Sequence, residues 1–225
     1  MFSVARVIAL LGNEYPSVPA QTDRRRPPLD ELILTILSQN TSDVNSRQSF
    51  RRLWSRFGSW QAVAGAGAAA IEEAIKPGGL GRVKAERIKV VMKKISRERG
   101  ELSLDFLAHL PQEGAGAWLR RLPGVGPKTA ACVLLFSLGK PALPVDTHVY
   151  RVASRLGMLL PKVSAEKAHD ILGGLVPAKD VYRFHVLLIE HGRHLCKAQR
   201  PQCSRCPLLI GCPYGALQIE KQREV

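Results

Sequence analysis

Leu122-Pro123-Gly124-Val125-Gly126-Pro127-Lys128-Thr129-Ala130 is the stretch that decides the fold. A helical pattern ends at Leu122, two glycines bracket a valine, and a proline opens the next helical pattern. Gly124 and Gly126 permit backbone angles closed to other residues and let another molecule approach the chain closely. Pro127 suits the first position of a helix, where its missing N–H is no loss and its φ is already set. The helix that follows directs free N–H groups and the positive end of its dipole at the turn. The arrangement of helix, Gly-x-Gly turn and helix therefore predicts an anion site.

Outward from this turn, the chain reads as helix on both sides. Apolar residues recur at helical spacing over 29–38, 43–57, 66–75, 83–97, 115–122, 128–138, 148–158, 165–175 and 181–191. Gly58, Gly100 and Gly139 supply stops, as does Pro77-Gly78-Gly79, and Asp30 and Ser42 suit helix starts. No strand pair competes with these patterns, so the fold class expected is all-α. Pro27-Pro28 and Gly139-Lys140-Pro141 are the natural articulation points. They separate a contiguous helical unit, 25–140, from 1–24 and 141–225. The basic run Arg24, Arg25, Arg26 at the first boundary reads equally as a solvated loop or a nucleic-acid contact. The polar end, 218–225, is expected to be disordered.

Composition narrows the partner. The 225 residues are 45% hydrophobic, enough for a sizeable core. Lys and Arg number 33 against 19 Asp and Glu, a net charge of +14 that points to a polyanion. Eight basic and only two acidic residues fall within 82–99. The longest apolar runs, 62–71 and 130–136, are far short of the roughly 20 residues needed to span a bilayer. Arg6 and Glu14 bracket the short run 7–11, which is no secretory pattern. A soluble intracellular protein, cytoplasmic or on the nucleoid, is expected.

Four of the five cysteines, Cys196, Cys203, Cys206 and Cys212, fall within 17 residues. In an intracellular chain such clustering reads as a metal site rather than a disulfide framework. Zinc modules offer two close pairs, whereas only Cys203 and Cys206 form one here. Four thiolates in one loop suit a [4Fe–4S] cubane instead. Arg193, Lys197, Arg200 and Arg205 crowd the same loop. Cys132 lies apart and reads as a buried small hydrophobe.

The hairpin segment, continued by Pro144-Val145-Asp146-Thr147-His148, resembles the helix-hairpin-helix of DNA glycosylases. The spacing Cys196-x6-Cys203-x2-Cys206-x5-Cys212 is similar, position for position, to the iron–sulfur loop of the endonuclease III family. The resemblance covers residues 25–214. It implies a helical barrel domain carrying the hairpin (25–140), a [4Fe–4S] domain built from both chain ends (1–24 and 141–225), and a DNA cleft between two lobes. It makes Lys128 the nucleophile and Asp146 the catalytic carboxylate, with the four clustered cysteines as cluster ligands. Gly124, Val125 and Gly126 would meet DNA at the hairpin, and Arg193, Lys197 and Arg200 beside the cluster.

The chemistry accounts for these residue types. Breaking an N-glycosidic bond builds positive charge on the sugar, which a carboxylate stabilises. A deprotonated amine can then attack C1′ and form a Schiff base, opening a route to strand cleavage by β-elimination. A base enzyme must also extrude its target and fill the hole it leaves. In the family a Gln after a helix fills the gap; here Leu37-Ser38-Gln39-Asn40-Thr41-Ser42-Asp43 places Asn40 at that position with Gln39 before it. Gly79-Leu80-Gly81-Arg82 matches the family's wedge loop, with Leu80 as wedge and Arg82 beside it, and its glycine richness predicts a mobile loop.

The expected activity is a bifunctional DNA glycosylase and AP lyase of base excision repair. It would act as a monomer on oxidised pyrimidines and abasic sites in double-stranded DNA. A monofunctional mismatch glycosylase for thymine, uracil or adenine is the alternative. Adenine enzymes, however, carry a glutamate where Thr35 stands, and mismatch relatives usually lack the lysine. A non-enzymatic DNA-binding module is the third possibility.

Overall fold

Helix-start and helix-stop chemistry recurs along the chain. The computed structural model describes residues 2–21 and 25–223. Among them are α1 (Val4–Glu14), α2 (Pro28–Ser38), α3 (Asp43–Phe57), α4 (Trp60–Gly65), α5 (Ala68–Ile75), α6 (Gly81–Arg99), α7 (Gln112–Arg120), α8 (Pro127–Cys132), α9 (Thr147–Arg155), α10 (Ala165–Leu175), α11 (Val181–His194) and α12 (Pro213–Arg223). No strand occurs among the described residues, so the fold is all-α. The Ser42, Ser59 and Ser164 side chains accept the N–H groups of Asn45, Ala62 and Lys167, capping α3, α4 and α10. Gly58 and Gly100 end α3 and α6 in the left-handed region.

The chain divides into two compact units, Arg24–Lys140 and Met1–Asp23 with Pro141–Val225. In the first, α2 packs against α3, α6, α8 and the π-turn Val133–Ser137 that extends α8. Its Leu29, Leu32, Ile33, Ile36 and Leu37 are 3% exposed or less, and burying side chains of this size contributes roughly 1.5–3 kcal/mol each. In the second unit α11 packs against α9 and α1, and Phe184, Leu187 and Leu188 of α11, Val149 and Val152 of α9, and Val7 and Leu11 of α1 are all buried.

Several features differ from the sequence reading. Helices α1, α4 and α12 were not expected. Instead of a disordered tail, α12 runs through residues 218–223, while 224 and 225 lie outside the described residues. The helix is held by its start: Gly215 N–H donates to Cys212 Sγ at 3.3 Å, and the Arg155 guanidinium lies 4.1 Å from the Tyr214 ring. In the basic run, the Arg25 side chain lies against the bare α-carbon of Gly139, and Arg26 pairs with Glu31 at 3.2 Å. Both are engaged within the fold; Arg24 lies outside the described residues. No described helix is long and apolar enough to cross a membrane.

Candidate functional site

The hairpin is built as α7, a turn over residues 121–126, and α8. Leu122 and Val125 are buried, and Val125 N–H donates to Leu122 O at 3.1 Å. Any contribution of Val125 to a ligand therefore passes through its carbonyl and the flanking glycines. Gly124 sits at φ +74, and a side chain there would collide with the Arg87 guanidinium. Gly126 precedes α8 in an extended conformation with open space around it. Pro127 is the first residue of α8 and has no N–H, so the free donors of that turn are those of Lys128 and Thr129. No side chain caps them. Lys128, half-buried, thus stands in a first turn whose backbone is open to an anion.

Asp146 belongs to the other unit. It caps α9, its Oδ1 accepting from Val149 N–H at 2.7 Å. The segment before it is pinned from behind. His185 Nδ1–H donates to Pro144 O at 2.9 Å and His169 Nδ1–H to Leu143 O at 3.2 Å, since a carbonyl can only accept. Buried Leu143 and Val145 complete the anchoring. The carboxylate is half-buried on a segment that cannot drift.

The four clustered cysteines line one pocket with Arg155, Leu156, His191, Leu195 and Tyr214. Burial pushes the Cys203, Cys206 and Cys212 thiols up, Cys206 to about 11, and the neighbouring thiols add to the rise. Thiolates at these three positions are unfavourable unless a cationic centre compensates them. Arg155 Nη1 donates to Cys196 Sγ at 3.3 Å and to Lys197 O at 2.7 Å. Arg151 Nε donates to Cys196 O at 3.0 Å. Burial raises the Tyr15 phenol and pushes His191 down to about 4. The neutral His191 ring bridges the two groups, Nδ1 hydrogen-bonded to the Tyr15 hydroxyl at 3.2 Å and Nε2 to Cys206 Sγ at 3.4 Å. Among the described residues, no group of three or more His, Cys, Asp or Glu is arranged to hold a single metal ion. Cys132 is buried on α8.

The two loops expected to enter DNA lie in the first unit. Gln39 is half-buried and its Oε1 accepts from Arg87 Nη1, whereas Asn40 is exposed at φ +54. Leu80 is 55% exposed at φ +49, and Arg82 is exposed beside it. The base of the Leu80 loop is held rather than loose, because buried Lys84 donates to Gly78 O at 2.8 Å. The anchoring contacts of Lys84, Arg87, His169 and His185 were not read from the sequence, since their partners Leu37, Gln39, Leu143 and Pro144 lie 26 to 48 residues away and no spacing rule links them. Of the loop cations, Arg193 pairs with Glu190 at 3.3 Å, while Lys197 and Arg200 are exposed.

The sequence pattern of the HhH-GPD superfamily of base excision DNA repair proteins matches residues 33–178. A candidate DNA glycosylase of Arabidopsis thaliana is 36% identical over 82% of this chain, which spans 60% of the plant protein's length. Endonuclease III of Thermotoga maritima is 34% identical over 89% of this chain and 87% of its own. A solved trapped covalent intermediate of endonuclease III with DNA superposes with a TM-score of 0.81 at 28% identity, covering 97% of this chain and 100% of that one. With its glycine hairpin, lysine-bearing helix start and four-cysteine loop, the chain belongs to the HhH-GPD superfamily of base excision DNA repair proteins, as an endonuclease III-like member.

Proposed function

We propose that the chain is a bifunctional DNA glycosylase and AP lyase that removes oxidised pyrimidines from duplex DNA. The observation that carries the reading is Lys128 in the uncapped first turn of α8, directly after the glycine hairpin. Phosphate oxygens on the free N–H groups of that turn would bring a sugar within reach of the lysine. Lys128 Nζ attacks C1′ while the base leaves with the electrons of the glycosidic bond and takes up a proton. The sugar ring opens to a Schiff base, loss of the C2′ proton follows, and the 3′ phosphate departs by β-elimination. The Asp146 carboxylate offsets the charge growing on the sugar. Its segment is pinned by His185 and His169, so little reorganisation accompanies that charge.

Cys196, Cys203, Cys206 and Cys212 would hold a [4Fe–4S] cluster, which when bound cross-links the loop that carries Lys197 and Arg200. The partner is double-stranded DNA with damaged bases or abasic sites, the acting form a monomer, and the nucleoid its place. Support for the DNA partner comes from the likeness to an endonuclease III bound covalently to DNA. Retention of Lys128, and Thr35 on α2 in place of a carboxylate, favour this reading over a mismatch glycosylase. Borohydride added during reaction with a damaged duplex tests it. A covalent protein–DNA adduct is expected with the native protein and none with Lys128→Gln. No native adduct, or an equal one with the variant, overturns the lyase assignment.

A further inference from the structure

One buried ammonium ties together the two loops that this function sends into DNA. Lys84 is 2% exposed, and its Nζ donates to Leu37 O at 2.7 Å and to Gly78 O at 2.8 Å. Leu37 lies in the last turn of α2, three residues before Asn40. Gly78 stands two residues before Leu80. The same residue's backbone N–H donates to Leu80 O at 3.0 Å. One side chain thus holds the roots of both loops, and its backbone holds the tip of one.

The tips are the strained parts. Asn40 at φ +54 and Leu80 at φ +49 are two of the four described non-glycine residues in the left-handed region. A residue with a Cβ persists there only when its surroundings over-determine it, and such positions gather at functional sites. Both are exposed, so packing of their own side chains does not account for the conformation. Burying an ammonium is costly, and an apolar side chain of the same length would fill the site at less expense. What the cation supplies is simultaneous bonding to two carbonyls from segments 41 residues apart in the chain. Gly78 is cut to fit: a Cβ there would lie 2.8 Å from Ser49 Oγ and 3.8 Å from Lys84 Nζ. One turn further along α6, Arg87 holds the Gln39 amide, which leaves Asn40 as the unencumbered tip.

We propose that Lys84 is a positioning residue that fixes the separation of Asn40 and Leu80, so that the two enter the duplex as one unit. The proposal rests on the glycosylase reading above. Displacing one tip by about 1 Å costs on the order of 100-fold in a geometry-dependent step. That loss should appear only where stacked, paired DNA must be opened, since extrusion is least costly for an unpaired base.

The test compares single-turnover excision of thymine glycol paired with adenine in a duplex against the same lesion inside an unpaired bubble. Lys84→Met, which keeps length and packing, should lose about 100-fold on the paired substrate and less than about threefold in the bubble. In a Lys128→Gln background, the fluorescence rise of 2-aminopurine beside the lesion should vanish when Lys84→Met is added. Should Lys84→Met fail to fold, Gly78→Ala serves in its place, because the added methyl collides with Ser49 Oγ and so shifts the Gly78 carbonyl that the ammonium holds, without removing charge; the same split is expected. Equal losses on both substrates, or none on either, overturn the proposal. A native protein that excises from neither substrate overturns the glycosylase reading, and the proposal with it.

Discussion

Lys128 and Asp146 stand out as candidates in the sequence because each lies beside a short motif, Lys128 after Gly-x-Gly-Pro and Asp146 before Thr147-His148. Lys84 does not, because its charge looks like any other in a basic helix. Its role depends on a carbonyl 47 residues away. The proposed function gives Asp146 two duties that can be separated. Its Oδ1 caps α9 at 2.7 Å from Val149 N, and asparagine caps helices about as well as aspartate. Asp146→Asn should therefore leave the thermal midpoint nearly unchanged, a difference below about 1 kcal/mol. The lost charge should lower single-turnover excision by about 10²–10³-fold. Unchanged excision would reduce Asp146 to a cap. Parallel loss of folding and activity would say that the cap is all that matters.

Helix ends show how far local chemistry reaches at the scale of elements. The patterns over 43–57 and 165–175 coincide with α3 and α10, where serine caps start each helix and, in α3, a glycine ends it. Helix α4 is six residues long, too short for a period to register, and α12 has no apolar stripe, with Leu217 exposed. The pattern over 128–138 hides a change of winding: α8 gives way at Val133 to a π-turn closed by Leu138 N–H on Val133 O at 3.2 Å. The hairpin itself makes two glycines unequal. Gly124 lies at φ +74 against Arg87, whereas Gly126 is extended with nothing near its α-carbon. Gly124→Ala should cost about 1–2 kcal/mol from the left-handed backbone alone, and more as Arg87 is driven off. It should also loosen the Gln39 loop that Arg87 holds. Gly126→Ala should fold like the native protein and weaken DNA binding alone, because its new methyl stands where a phosphate would approach. Urea melts and binding titrations of both variants check this. Equal stability of the two would contradict the turn geometry.

Net charge is the whole-molecule property, and at +14 it identified a polyanion without saying which cations meet it. The structure thins the candidates. Of the eight basic residues on α6, Lys84 serves Leu37 and Gly78, Arg87 serves Gln39, and Lys89 donates to Ala66 O. Lys94 donates to Arg121 O at 2.6 Å, and the Arg99 guanidinium lies 4.0 Å from the Phe106 ring. Arg82, Lys93 and Arg97 remain exposed on that helix, joined by Lys197 and Arg200 from the cysteine loop. Each phosphate neutralised contributes about −0.9 to the slope of log K against log salt, so five contacts give a slope of about −4 to −5. Counting every cation of both stretches from the sequence would have given a steeper value. Lys197→Gln with Arg200→Gln should flatten the slope by about 2, with affinity falling alike for damaged and undamaged duplex. Lys94→Gln, which removes a charge of equal size, should change it by less than about 0.5, because that ammonium is spent on Arg121 O and Glu98. If Lys94→Gln flattened the slope as much per charge as the loop pair, binding would follow net charge alone and the exposed cations would have no privileged place on the phosphates.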